Sequence, residues 1–140
     1  MNEAKWAEKV IVYTDGASRG NPGAASIGIH IIDVDKHDIL KHGECLPDTT
    51  NNVAEYTAVL RALEMCKANK VSSVIVRSDS ELLVRQLQGQ YKVKSPNLIG
   101  LYKQVLALKS AFKQIEFEHV RREFNKIADE LANLALDGGL

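Results

Sequence analysis

Residues 13–23 read YTDGASRGNPG and follow the run KVIV at positions 9–12. The β-branched run predicts a buried strand from Lys9 to Thr14. That strand ends in a carboxylate, Asp15, and the chain then breaks into Gly16, Gly20, Asn21, Pro22 and Gly23. A carboxylate is costly to bury unless its charge is compensated. A metal ion, a cationic partner or water is therefore expected beside Asp15.

The surrounding chain bounds what that site can be. It has 140 residues, 45% hydrophobic and 26% charged, which suits one domain over 1–140 with a sizeable core. No apolar run approaches the roughly 20 residues that span a membrane. The start, MNEAKWAEKV, lacks the apolar centre of a secretory leader. A cytoplasmic monomer with no membrane association and no obligate protein partner is expected. Cys45 and Cys66 make neither a disulfide framework nor a zinc set, and both are expected to be reduced, half-buried thiols. Net charge is zero, but it is unevenly spread. Arg85 to Lys126 holds nine Lys or Arg against three Glu, whereas Asp33 to Glu55 holds six acids against two lysines. Charge alone favours a mixed solvated surface.

Three strands come early and close together: 9–14, 24–34 and 39–46, with the acidic turn DVDKHD between the last two. They suggest an antiparallel meander. A helix over 49–70 follows, with Asn51 or Asn52 as its cap. Then come a strand over 72–79, a short helix to Gly89, a connector, a helix over 95–112, a strand over 114–120 and a helix from Asn125, its cap, to Leu136. The order β-β-β-α-β-α-α-β-α implies an α/β fold, a mixed sheet with helices on its faces.

Four acids sit where a purely structural role is strained. Asp15 and Asp79 end strands, the place where ligands bind in open α/β sheets. Glu55 shares the stripe of Val59, Ala62 and Cys66, so it should face the sheet. Asp129 lies in the first turn of the last helix. Each has an ordinary alternative: a turn at Asp15, a cap at Asp79, and a favourable helix dipole at Asp129. Glu55 resists such an explanation. Converging carboxylates would need hard cations with oxygen ligands, Mg²⁺ or Mn²⁺. Two such ions side by side clamp a phosphorus centre for in-line displacement.

Four segments, YTDGASRGNPG, TTNNVAEYTA, RSDSELLVRQL and HVRREFNKIADELAN, resemble in order the motifs of type 1 ribonuclease H, and they cover nearly the whole chain. The resemblance implies a ribonuclease H-like mixed five-stranded sheet, three strands antiparallel and two parallel, with helices on both faces. It implies an endonuclease that cuts the RNA strand of RNA/DNA hybrids with two Mg²⁺ ions, Mn²⁺ being a substitute, and leaves 5′-phosphate and 3′-hydroxyl ends. Asp15, Glu55, Asp79 and Asp129 would be the catalytic metal ligands. Gly16, Asn21, Thr50, Asn51, Asn52 and Ser95 would meet the substrate.

Three departures from the family pattern stand out. The basic protrusion is reduced to QGQYKVKS, whose Tyr91, Lys92 and Lys94 can stack on bases and attract phosphate. The usual mobile histidine loop is missing, and Arg122 stands nearest its place as a further catalytic candidate; His119 reads as structural. Asp48 replaces a residue that is basic in some members. A haloacid dehalogenase-type phosphatase would need a nucleophilic aspartate where Tyr13 stands. A related integrase or resolvase nuclease fits the Asn51–Asn52 pair and its spacing to Glu55 less well. A catalytically weak or inactive hybrid-binding module of the same fold is the alternative.

Overall fold

The computed structural model describes residues 6–138, so Met1–Lys5 of the leader expectation and the terminal Gly139 and Leu140 lie outside the described residues. The elements are β1 (Lys9–Gly20), β2 (Gly23–Asp33), β3 (Asp38–Thr49), α1 (Asn51–Ala68), β4 (Ser73–Ser78), α2 (Glu81–Leu87), α3 (Pro96–Leu108), β5 (Gln114–His119) and α4 (Lys126–Leu136). Short 3₁₀ turns occupy Lys109–Ala111 and Arg122–Phe124. The strands form one sheet in the order β3-β2-β1-β4-β5. β1–β2 and β2–β3 are antiparallel, while β1–β4 and β4–β5 are parallel. This is the expected architecture.

Both sheet faces are covered, and two glycines show how closely. A Cβ on Gly16 would collide with the backbone of Ala54 and Glu55 in α1. A Cβ on Gly28 would collide with the backbone of Ala128 and Ala132 in α4. Gly28 pairs with Asp15, the neighbour of Gly16. Successive residues of a strand point to opposite faces. α1 therefore lies on one face and α4 on the other, directly above and below the Asp15–Gly16 step. The main core packs Val10, Val12, Ile27 and Ile29 of the sheet against Val59, Leu63 and Cys66 of α1. Each of these side chains is fully buried.

Several local expectations need correction. β1 does not stop at Thr14. It runs to Gly20, because β2 supplies a partner for every residue through Gly20–Gly23. Backbone pairing holds this half of the hairpin, although its outer end, Arg19–Pro22, is exposed. The parallel β1–β4 ladder does end early, at Tyr13–Arg77, so Asp15 stands just past the place where the two central strands part. α1 is capped by Thr50, whose hydroxyl accepts from the Val53 amide at 3.3 Å; Asn51 and Asn52 are its first helical residues. Ser80 caps α2, so Asp79 is not spent on capping. Asn125 makes no side-chain cap for α4. The two thiols are not alike. Cys66 is buried, its pKa pushed up to about 12 by desolvation, whereas Cys45 is exposed and donates to the Ala135 carbonyl at 3.0 Å. Among the described residues, no helix is long and apolar enough to cross a membrane.

Candidate active site

Three separate elements deliver carboxylates to one point. Asp15 lies on β1, Asp79 directly follows β4, and Glu55 sits in the second turn of α1 on backbone pressed against Gly16. One carboxylate oxygen from each lies within 4.8 Å of the other two. All three side chains are half-buried. Asp129, in the first turn of α4, approaches from the opposite face, close enough to Asp15 to raise its pKa by charge and by hydrogen bonding. Asn133, one turn later, donates to the Asp129 carboxylate at 3.3 Å.

The acids resist ionising together. Asp15 is raised to about 8, first by burial, then by the charges of Asp79, Asp129 and Glu55 and by its bond to Asp129. Glu55 is raised to about 7 by burial and by Asp79, against an opposing hydrogen bond from Ser80. Among the described residues, no lysine or arginine forms an ion pair with any of these four acids. A compact, oxygen-only, anionic donor set without a cation fits a hard divalent ion. The second group with metal-ligand spacing, Asp33, Asp35 and His37, is of another kind. It closes the β2–β3 turn, where Asp33 accepts from the Asp35 and His37 amides.

The residues expected to meet substrate gather only in part. The Asn51 amide, at the start of α1, donates to Asn21 Oδ1 at 3.1 Å, which brings the hairpin tip onto the helix N-terminus beside Thr50. Asn21, Asn51 and Asn52 are exposed there. Gly16 is buried, and its missing side chain admits α1 rather than an open path to solvent. Ser95 starts α3, exposed and without a cap bond.

The match to known proteins agrees with this geometry. Residues 13–135 match the family described as "Reverse transcriptase-like". The chain is 33% identical to the ribonuclease H of Ruthia magnifica subsp. Calyptogena magnifica, covering 92% of this chain and 96% of that protein. This chain belongs to the ribonuclease H family. A solved relative is the LC11 ribonuclease H1, crystallised in complex with an RNA/DNA hybrid. It is 44% identical and superposes with a TM-score of 0.87 over 92% of this chain and 97% of that one. A bifunctional protein of Mycobacterium tuberculosis is 41% identical over 92% of this chain, but the match spans only 36% of that protein.

Within the ribonuclease H frame, the departures take definite places. Arg122 lies in the 3₁₀ turn before α4, exposed and without an ion pair among the described residues. His119 ends β5, paired with Ser78 and exposed. The shortened connector is not loose. Buried Gln86 accepts from the Tyr56 hydroxyl at 2.6 Å and donates to the Lys92 carbonyl at 3.4 Å, and Tyr91 lies under the Arg85 guanidinium. Sequence reasoning missed the role of Asn125. It is 1% exposed, and its Nδ2 donates to the Thr14 carbonyl at 2.9 Å. An asparagine ahead of a helix signals a cap, and nothing local reveals a partner 111 residues away.

Proposed function

We propose that the protein hydrolyses the RNA strand of RNA/DNA hybrids as a metal-dependent endonuclease, leaving 5′-phosphate and 3′-hydroxyl ends. The observation that carries this reading is the convergence of Asp15, Glu55 and Asp79 within 4.8 Å, with Asp129 near enough to raise the Asp15 carboxyl further. These four side chains would hold Mg²⁺, two ions when substrate is bound, with Mn²⁺ as a substitute. Bound there, the ions supply charge neutralisation and an activated water for in-line displacement at phosphorus.

The protein's own groups account for selection of the substrate. The exposed amides of Asn21, Asn51 and Asn52 can both donate to and accept from a 2′-hydroxyl and a base edge. With Asn21 Oδ1 used by the Asn51 amide, Asn21 keeps its nitrogen as a donor. Thr50 and Ser95 would contact the phosphates of the DNA strand. Arg122 would steady a phosphate near the cut with its planar fork. Recognition by shape and 2′-hydroxyls predicts little base specificity. A monomer acting in the cytoplasm belongs to the same reading, to be tested by sedimentation and by cell fractionation.

The decisive experiment is a gel assay on labelled RNA/DNA hybrid, duplex RNA and duplex DNA with Mg²⁺, Mn²⁺ or EDTA. Cleavage of the hybrid's RNA strand alone, abolished by EDTA, is the expected result. A hybrid that is bound but not cut with either ion would leave only a binding module.

A further inference from the structure

We infer that Asn125 is a positioning residue that sets the fourth acid against the first. The inference rests on the proposed metal-dependent activity and concerns how this chain builds its ligand set. Asp15 and Asp129 come from opposite ends of the sequence, and their elements meet at Asn125. β1 loses its parallel partner after the Tyr13–Arg77 pair. At the next residue the side chain of Asn125 takes over, its Nδ2 donating to the Thr14 carbonyl. The same residue's backbone carbonyl accepts from the Asp129 amide at 3.1 Å. One residue thus grips the peptide preceding Asp15 with its side chain and the first turn carrying Asp129 with its backbone.

The choice of residue points the same way. Asn125 Oδ1 has no hydrogen-bond partner among the described residues. A buried amide that uses only half its capacity is worse for packing than a small apolar side chain. What the amide provides and such a side chain lacks is the tie to Thr14. Neighbours that orient metal-ligating carboxylates commonly govern metal affinity and activity. Asn133 assists from the other side through its bond to the Asp129 carboxylate.

The test compares Asn125→Ala and Asn125→Ser with Ala135→Gly, a change on the same helix at a buried site away from the acids. Melting temperature is measured across a Mg²⁺ series, and kcat and KM are measured on an RNA/DNA hybrid. If Asn125 positions Asp129, its variants should need about tenfold more Mg²⁺ for half of the thermal shift, and kcat should fall by about tenfold or more. KM should stay within about twofold, because substrate-reading groups are untouched. Ala135→Gly should lower the melting temperature without moving the Mg²⁺ midpoint. The inference is overturned if the Asn125 variants keep the Mg²⁺ midpoint and kcat of Ala135→Gly. Should Asn125→Ala not fold, Asn125→Ser decides alone. If wild type shows neither a Mg²⁺-dependent shift nor hybrid cleavage, the functional reading itself fails and the inference falls with it.

Discussion

On the proposed reading, Asp15 is the residue on which most of the chemistry turns, and its surroundings would make contrary demands with and without metal. Neutralising it removes a repelled charge but also a ligand that faces the other three acids. Asp15→Asn should leave less than about a tenth of wild-type cleavage, given the several kcal/mol that such electrostatic groups contribute to a transition state. The same variant should melt higher than wild type in EDTA at pH 8. A lower melting temperature there would contradict the repulsion inferred from the raised pKa. Asn51 and Asn52 separate cleanly from helix capping now that Thr50 is the cap. Asn51→Ala and Asn52→Ala should raise KM with little change in kcat or stability. Thr50→Ala should cost about 1 kcal/mol in urea unfolding. For the missing histidine, Arg122→Ala should slow turnover by about tenfold to a hundredfold, whereas His119→Ala should stay near wild type, both measured from pH 5.5 to 9. The reverse outcome would give the role to His119. Glu55 was legible from spacing alone, because its place on an apolar helical stripe has few ordinary explanations. Asn125 was not, because its partner is distant in sequence and its residue type already had a local explanation.

At the scale of elements, the site depends on how close the two helices come to β1 and β2. Backbone lies directly over Gly16 on one face and over Gly28 on the other. Neither helix can admit a methyl group without moving, and each carries an acid. Gly28→Ala should destabilise the protein by about 1–3 kcal/mol, the usual cost of overpacking. It should also weaken the Mg²⁺-dependent thermal shift by displacing Asp129. An unchanged shift in a destabilised but folded variant would show that α4 accommodates the methyl elsewhere. The element order and sheet topology were readable because meander and β-α alternation leave few alternatives. The outer half of β1 was not. Ala17, Ser18, Arg19 and Gly20 carry no strand-like apolar alternation, and only their pairing partners in β2 make them a strand. The close approaches were hidden for a similar reason. A glycine in sequence signals a turn, and only the packed helix above it reveals a contact surface.

For the whole molecule, the acid cluster couples folding to protons and, on the proposed reading, to metal. The folded protein holds protons on Asp15 and Glu55 up to about 8 and about 7, while an unfolded chain releases them near the ordinary values of 3.8 and 4.5. Between those limits the unfolded state binds fewer protons, so metal-free stability is greatest at low pH on this account and drains as pH rises towards 8. On the proposed reading Mg²⁺ would compete with those protons, so its stabilising effect should grow from pH 6 to pH 9. Melting curves with Mg²⁺ and with EDTA across that range check both signs, and a metal effect that shrinks with pH would contradict the assignment. The long first strand has a wider consequence. It carries the first acid at Asp15 and ends at Gly20; the next residue, Asn21, six on from Asp15, fastens the tip to α1. At a rise of about 3.3 Å per residue, the strand is a fixed gauge of at most about 20 Å between the Asp15 carboxylate and the Asn21 amide. On the proposed reading, the enzyme would measure where to cut: the scissile phosphate would be chosen by its offset from the sugar held at the tip. Lengthening the hairpin by one residue pair should therefore shift the cleavage positions on a short end-labelled hybrid.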